Sequence, residues 1–160
     1  AKYMKNNRKR TMMVVVLLVA IAVGARVFMN IDTKKVSKAC IEDICFSVEL
    51  ARTQAEQESG LMNRAHMEER HGMLFIFPQR SRYDFRMKDT LIPLDMIWID
   101  EDRTVVRTLN AQPCTADPCM IYSPGVDAKY VLEINSGMVA KYGIQEGAKI
   151  RFVNIQDEGQ

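Results

Sequence analysis

Two apolar runs, MLFIF at residues 73–77 and MIWI at residues 96–99, stand out along the chain, and charged residues are wedged among large apolar ones between them. Pro78 is expected to stop the first run, and the acidic turn Asp100-Glu101-Asp102 closes the second. Elsewhere the period is two: Phe46, Val48 and Leu50 share one face and Ser47 and Glu49 the other, which predicts a half-buried strand over residues 44–50. Residues 36–40 pair with it across a Glu42-Asp43 turn. Thr53 with Glu56 three positions on forms a capping box, and Gly60 ends the short helix it starts. Residues 61–70 read as irregular. Residues 104–109, 129–135 and 147–155 are further strands, and Ser136 is expected to cap a short helix that Gly143 ends. Strands outnumber helices, and no long crossover helix is available for parallel units. The predicted class is mainly β, a compact antiparallel barrel or jelly-roll-like sandwich with two or three short helices.

The first twenty-five residues follow a different rule. Lys2, Lys5, Arg8, Lys9 and Arg10 precede an uncharged apolar stretch over residues 11–25, a pattern that reads as an export signal or membrane anchor. Counted on through Val27, Phe28 and Met29, with Arg26 reaching the headgroups, the segment approaches a spanning length. The expected organisation is a transmembrane or signal helix in residues 1–29, a tether in 30–38 and an extracytoplasmic β domain in 39–156, because the basic flank stays inside. Removing the five leading cations turns the net charge of +2 (22 basic, 20 acidic) into −3 (17 basic, 20 acidic) for the remainder. No basic stripe is left to follow a phosphate backbone, so nucleic acid is not an expected partner.

The four cysteines repeat one spacing, Cys40 with Cys45 and Cys114 with Cys119. Outside the cytoplasm two local disulfides are favoured over crossed pairings and over a four-thiolate zinc site. His66 and His71, near Met67 and Met73, offer a copper reading, although five residues do not align two imidazoles on one helical face. No metal site and no cofactor is assigned.

The candidate binding residues are Arg64, Arg86, Met87, Lys88, Asp89, Thr90, Asp95 and Glu133. Asp95, between Leu94 and Met96, is an acid at the mouth of a buried strand, the desolvated setting in which functional acids are found, and Lys88 is its expected ion partner. The same pair could instead pin the Ile92-Pro93 turn. Glu133, between Leu132 and Ile134, is either plain surface or part of a barrel mouth near Lys88. A serine- or cysteine-based mechanism needs a histidine beside its nucleophile, and both histidines lie in one polar segment. Three functions remain in view. The first is a membrane-tethered, non-catalytic accessory or interaction subunit of an envelope or membrane complex. The others are a small-ligand or carbohydrate-binding or processing domain using residues 87–95, and a copper-binding protein.

Several motifs in order, Gly60-Leu61-Met62-x-Arg64, Gly72-Met73-Leu74-Phe75-x-Phe77, Phe85-x-Met87-Lys88-x-Thr90-x-x-Pro93-Leu94-Asp95, Tyr130-Val131-Leu132-Glu133-x-Asn135-x-Gly137 and Gly143-Ile144-x-x-Gly147, resemble those of the family catalogued as domain of unknown function number 192. The resemblance implies a mainly-β, jelly-roll-like or barrel-like fold in proteins that are often exported or membrane-anchored. It implies no activity. The chain departs from the family pattern at Arg86, where an aromatic is usual, and at Asp89, where an amide is usual.

Overall fold

The structure, a computed structural model, describes residues 12–13 and 35–156. The membrane or signal helix expected in residues 1–29 and most of the tether lie outside the described residues. Among the described residues no helix is long and apolar enough to cross a membrane. The folded unit begins at Val36.

Nine strands and two short helices make up this unit: β1 (Lys38–Ile41), β2 (Ile44–Ala51), α1 (Gln54–Ser59), β3 (His71–Ser81), β4 (Phe85–Arg86), β5 (Leu94–Ile99), β6 (Val105–Ala111), β7 (Ile121–Tyr122), β8 (Ala128–Asn135), α2 (Met138–Tyr142) and β9 (Ile150–Val153). Seven strands form one sheet in the order β6-β5-β8-β3-β2-β1-β9, while β4 and β7 form a separate two-stranded ribbon. The sheet is a strongly curled half-barrel. Its outermost strands come together at one end, where Thr104 bridges Lys149 and the Val105 amide donates to the Ala148 carbonyl at 2.9 Å.

The expected all-antiparallel arrangement is corrected at one joint, because β2 and β3 run parallel. Residues 52–70 carry the chain over. A parallel crossover needs about a dozen residues, and a six-residue helix followed by an irregular stretch supplies them without a long helix. Pro78 does not stop β3 either. Between Ile76 and Ser81 the register with β8 shifts, and an irregular stretch of ladder has no need of the amide proton that proline lacks.

Local rules explain most of the other elements. Thr53 accepts from the Glu56 amide while the Glu56 carboxylate accepts from the Thr53 amide, the reciprocal cap expected for α1. Helix α2 differs from expectation. Its N-cap is Gly137, with φ 87° and no side chain to offer, so Ser136 does not cap it. Gly72 is fixed by crowding: a Cβ there would lie 2.4 Å from the Glu133 carbonyl oxygen.

β3, β5 and β8 are covered on both faces, so alternate residues enter two cores. The inner cluster draws on every strand of the sheet, including Phe46, Leu74, Ile97, Leu132 and Ile150, and fills the concave side. The outer cluster, with Phe75, Phe77, Met96, Trp98 and Val131, is roofed by residues 61–67 and the β4–β7 ribbon.

Candidate functional site

Both disulfides close as expected, Cys40–Cys45 across β1 and β2 and Cys114–Cys119 within the loop before β7. The second loop is sewn to the turn that follows β4. The Asp89 amide donates to the Cys114 carbonyl at 2.9 Å, and the Cys114 amide donates to the Met87 carbonyl at 3.2 Å. Lys88 Nζ lies 2.9 Å from Asp117 Oδ2. This acid holds the ammonium above its usual range, and the ammonium in turn holds Asp117 below the usual carboxylate range.

The anticipated Lys88–Asp95 pair is therefore absent. Asp95 is buried, with Oδ1 accepting from Asn110 Nδ2 at 2.7 Å and Oδ2 from the Val139 amide at 2.8 Å. It sits on the inner face of β5 and supplies the acceptor that Gly137 cannot give α2. A negative charge at the exposed amides of a helix start satisfies donors that have no intrahelical partner. Asp95 thus belongs to the scaffold, and its lone pairs are engaged there.

Glu133 is neither surface nor a neighbour of Lys88. It shares the outer face of β8 with Val131 and lies in register between Met73 of β3 and Met96 of β5. It is 4% exposed, and its carboxyl makes no hydrogen bond or ion pair among the described residues. Burial alone pushes its carboxyl up to about 8, so at neutral pH it is held mostly as the uncharged acid.

The remaining candidates separate. Arg64 forks onto Glu49 with contacts of 2.5 and 2.9 Å; that hydrogen bonding lowers the Glu49 carboxyl and raises the guanidinium. Met87 is buried in the outer core, and Thr90 is buried at the disulfide loop. Asp89 takes a positive φ of 54° and uses its backbone to join the Asn63 amide to that loop. Of the two histidines, His71 Nδ1 lies 3.1 Å from Glu68, while the thioethers of Met67 and Met73 are packed in the outer core. Among the described residues no three histidine, cysteine or acidic side chains converge.

Of the predicted set, Arg86 and Lys88 line a cavity. It is an open cleft of about 560 Å³ between α1 and the β4–β7 ribbon. Phe75, Phe77, Tyr83 and Phe85 supply its aromatic surfaces, Gln54, Gln57 and Glu58 one wall, and Met62 and Ile121 two apolar edges. The aromatic side is rigid by construction. Tyr83 stacks on Phe77 with centroids 3.6 Å apart, and Phe85 meets Phe75 and Trp98 edge-on at 5.1 and 5.9 Å. The Trp98 indole N–H donates to the Tyr83 carbonyl at 2.9 Å, tying this aromatic group to β5.

Sequence reasoning missed this cleft, although its signal is present. In Tyr83-Asp84-Phe85-Arg86-Met87-Lys88 apolar and charged residues alternate strictly, the mark of an extended segment with one face packed and one free. The charges drew attention to a turn, and the alternation that defines the strand was passed over.

A curled, mostly antiparallel half-barrel with an outer ribbon and an aromatic cleft defines a small, mainly-β domain. The family model of domain of unknown function number 192, described as an uncharacterized ACR, matches residues 37–152, and the chain belongs to this family. It is similar to a UPF0127 protein of Thermococcus gammatolerans, with 32% identity over 107 residues covering 66% of this chain and 65% of that protein, just under two thirds of the relative's length. A second UPF0127 protein, from Thermococcus kodakarensis, is 28% identical over 112 residues, covering 69% of this chain and 67% of that protein. Among solved structures, a protein of unknown function from Novosphingobium aromaticivorans superposes with a TM-score of 0.66 at 34% identity, covering 72% of this chain and 83% of its own. A Sinorhizobium meliloti protein, described provisionally as a transcription regulator, gives a TM-score of 0.66 at 32% identity, covering 72% of this chain and 91% of its own.

Proposed function

We propose that this chain is a membrane-tethered, extracytoplasmic and non-catalytic β domain, an accessory or interaction subunit that holds a protein partner of an envelope or membrane complex at the aromatic cleft. The observation that carries this reading is the cleft itself. Its aromatic surfaces end at Met62 and Ile121, which are 36% and 51% exposed. Large apolar side chains left in solvent at the lips of an apolar groove are a standing cost that a partner's surface removes.

The uncharged residues 11–25 behind a basic flank support the tether, and the two disulfides support an oxidising compartment. An enzyme built on Asp95 and Lys88 is not favoured, because these residues hold α2 and the disulfide loop and do not face each other. The regulator description of the Sinorhizobium protein is not carried over, because residues after the first twenty-five bear more acids than bases.

The test is capture of partners from detergent-solubilised membranes with the full chain as bait. A protein should co-purify with the native chain and be lost with the double variant Met62→Glu, Ile121→Glu, whose circular dichroism and Tm stay at native values. Capture that is indifferent to these two substitutions, or a bait that retains nothing, rules the reading out. Deleting residues 11–25 should release a folded domain from the membrane fraction.

A further inference from the structure

Strand β4 pairs with β7 on one side and, among the described residues, with no strand on the other. The lining of the cleft shows which side faces it. Tyr83, Asp84, Phe85 and Arg86 follow one another along its border, with Lys88 beyond the buried Met87, whereas β7 contributes only Ile121. A run of consecutive residues from one strand is what an edge presents, since a strand's face would offer every second residue. The unpaired edge of β4 therefore runs beside the aromatic surfaces, opposite the wall made by α1. An unpaired edge carries a row of backbone donors and acceptors suited to one more strand.

Side chains along this edge specify what such a strand would carry. Tyr83, Phe85 and Met87 pack against the outer core, while Asp84, Arg86 and Lys88 are exposed. The side chains of Asp84 and Arg86 make no hydrogen bond or ion pair among the described residues. Lys88 is shared with Asp117. At ~3.3 Å per residue, positions 84 to 88 extend over about 13 Å, roughly the length of a five-residue extended segment.

Resting on the reading of the cleft as a partner site, we propose that the partner is held by β-augmentation: an extended segment adds as a third, antiparallel strand to the free edge of β4. Antiparallel pairing is the more stable geometry per residue, and directly opposite residues point to the same side. The segment accordingly places apolar side chains beside Phe85 and Met87, an acidic side chain opposite Arg86 and a basic one opposite Asp84. Backbone hydrogen bonds provide the attachment and the charge order provides the register. Arg86 is the residue that selects the sequence.

A suitable probe is the acetylated, amidated pentapeptide Glu-Val-Glu-Phe-Lys, titrated by calorimetry into the full chain in detergent micelles. It should bind at least about tenfold more tightly than the charge-swapped peptide Lys-Val-Lys-Phe-Glu, and Arg86→Glu, which inverts the central of the three charge contacts, should narrow that difference; an unchanged difference would overturn the proposed register. N-methylation of alternate peptide bonds, which removes backbone donors and leaves side chains in place, should weaken binding by about tenfold or more. The amides of residues 84–88 should exchange more slowly with the unmodified probe bound. Equal binding of the N-methylated probe, unchanged exchange at residues 84–88, or no binding of any peptide overturns the added strand. The capture experiment with Met62→Glu, Ile121→Glu decides the cleft reading separately, so the two can fail independently.

Discussion

The main sheet and the loop that leads into the β4–β7 ribbon each contain one disulfide with the same sequence separation of 5, yet the two bonds stand on different ground. In a chain-entropy account each closes a loop of the same length and restrains the unfolded chain by roughly 2 kcal/mol. Cys40–Cys45 crosses a hairpin whose β1 is paired along its length on both sides, with β2 and with β9. Cys114–Cys119 serves a ribbon of two residues per strand, which could not stand alone in water. Equal cross-links thus have unequal local consequences. One duplicates an order that hydrogen bonds and packing already impose; the other maintains the wall of the cleft.

The comparison can be broken most severely in the sheet. Gly72→Ala drives a methyl group into the Glu133 carbonyl, where β3 and β8 lie close together, and backbone cannot step aside as a side chain can. A loss of roughly 3–5 kcal/mol is expected in chemical denaturation, with the cleft lost only when the whole domain unfolds.

Glu133→Gln works in the opposite direction. The folded state raises this carboxyl from its usual value to about 8, so an unfolded chain releases the proton first. Stability is therefore full below about pH 4.5, falls as pH rises and levels off above about 8. At pH 7 the neutral amide should be more stable by about 3 kcal/mol, and its stability should be flatter than the native protein's between those limits, measured by urea unfolding across pH.

The paired variants Cys40→Ser, Cys45→Ser and Cys114→Ser, Cys119→Ser put the comparison directly. Each should cost roughly 2 kcal/mol in global stability. Only the second should speed amide exchange through residues 84–90 and 121–122 and reduce partner capture. A matched loss of protection in both would show that the ribbon needs no staple. Asp95→Asn comes next, at about 1–2 kcal/mol, because an amide cannot accept from both Asn110 and Val139. Smallest of all, Lys88→Ala should leave Tm unchanged, since both members of its ion pair are more than half exposed.

The sheet was the more legible region. Residues 44–50 announced β2 by strict alternation, Thr53 and Glu56 announced the start of α1, and the cysteine spacing announced both bridges. Each is a local signal whose partner lies within a few positions. What escaped was set by distance along the chain. Lys88 finds Asp117 because a loop twenty-nine residues on folds back over it, and Val139 brings its bare amide to Asp95 from forty-four residues away. Pro78 reads as a strand end because nothing nearby in the sequence reveals the register shift that accommodates it. Strands of two residues, such as β4 and β7, pair over less chain than their alternation spans, so the pattern at residues 83–88 marks an extended segment without naming its partner. The cleft is built on one of them.

The ends of the folded unit meet side by side. Asn154 Nδ2 donates to the Val36 carbonyl at 3.0 Å, and β1 lies between β2 and β9. A mechanical load applied to the N-terminal side of the domain would first draw on β1, and its ladders on both flanks would resist together in shear. Peeling could advance no further than Cys40, where the pull passes through the sulfur bridge into β2. The fold is arranged like a strap with a riveted stop, one that can yield by a few residues without unwinding what hangs from it.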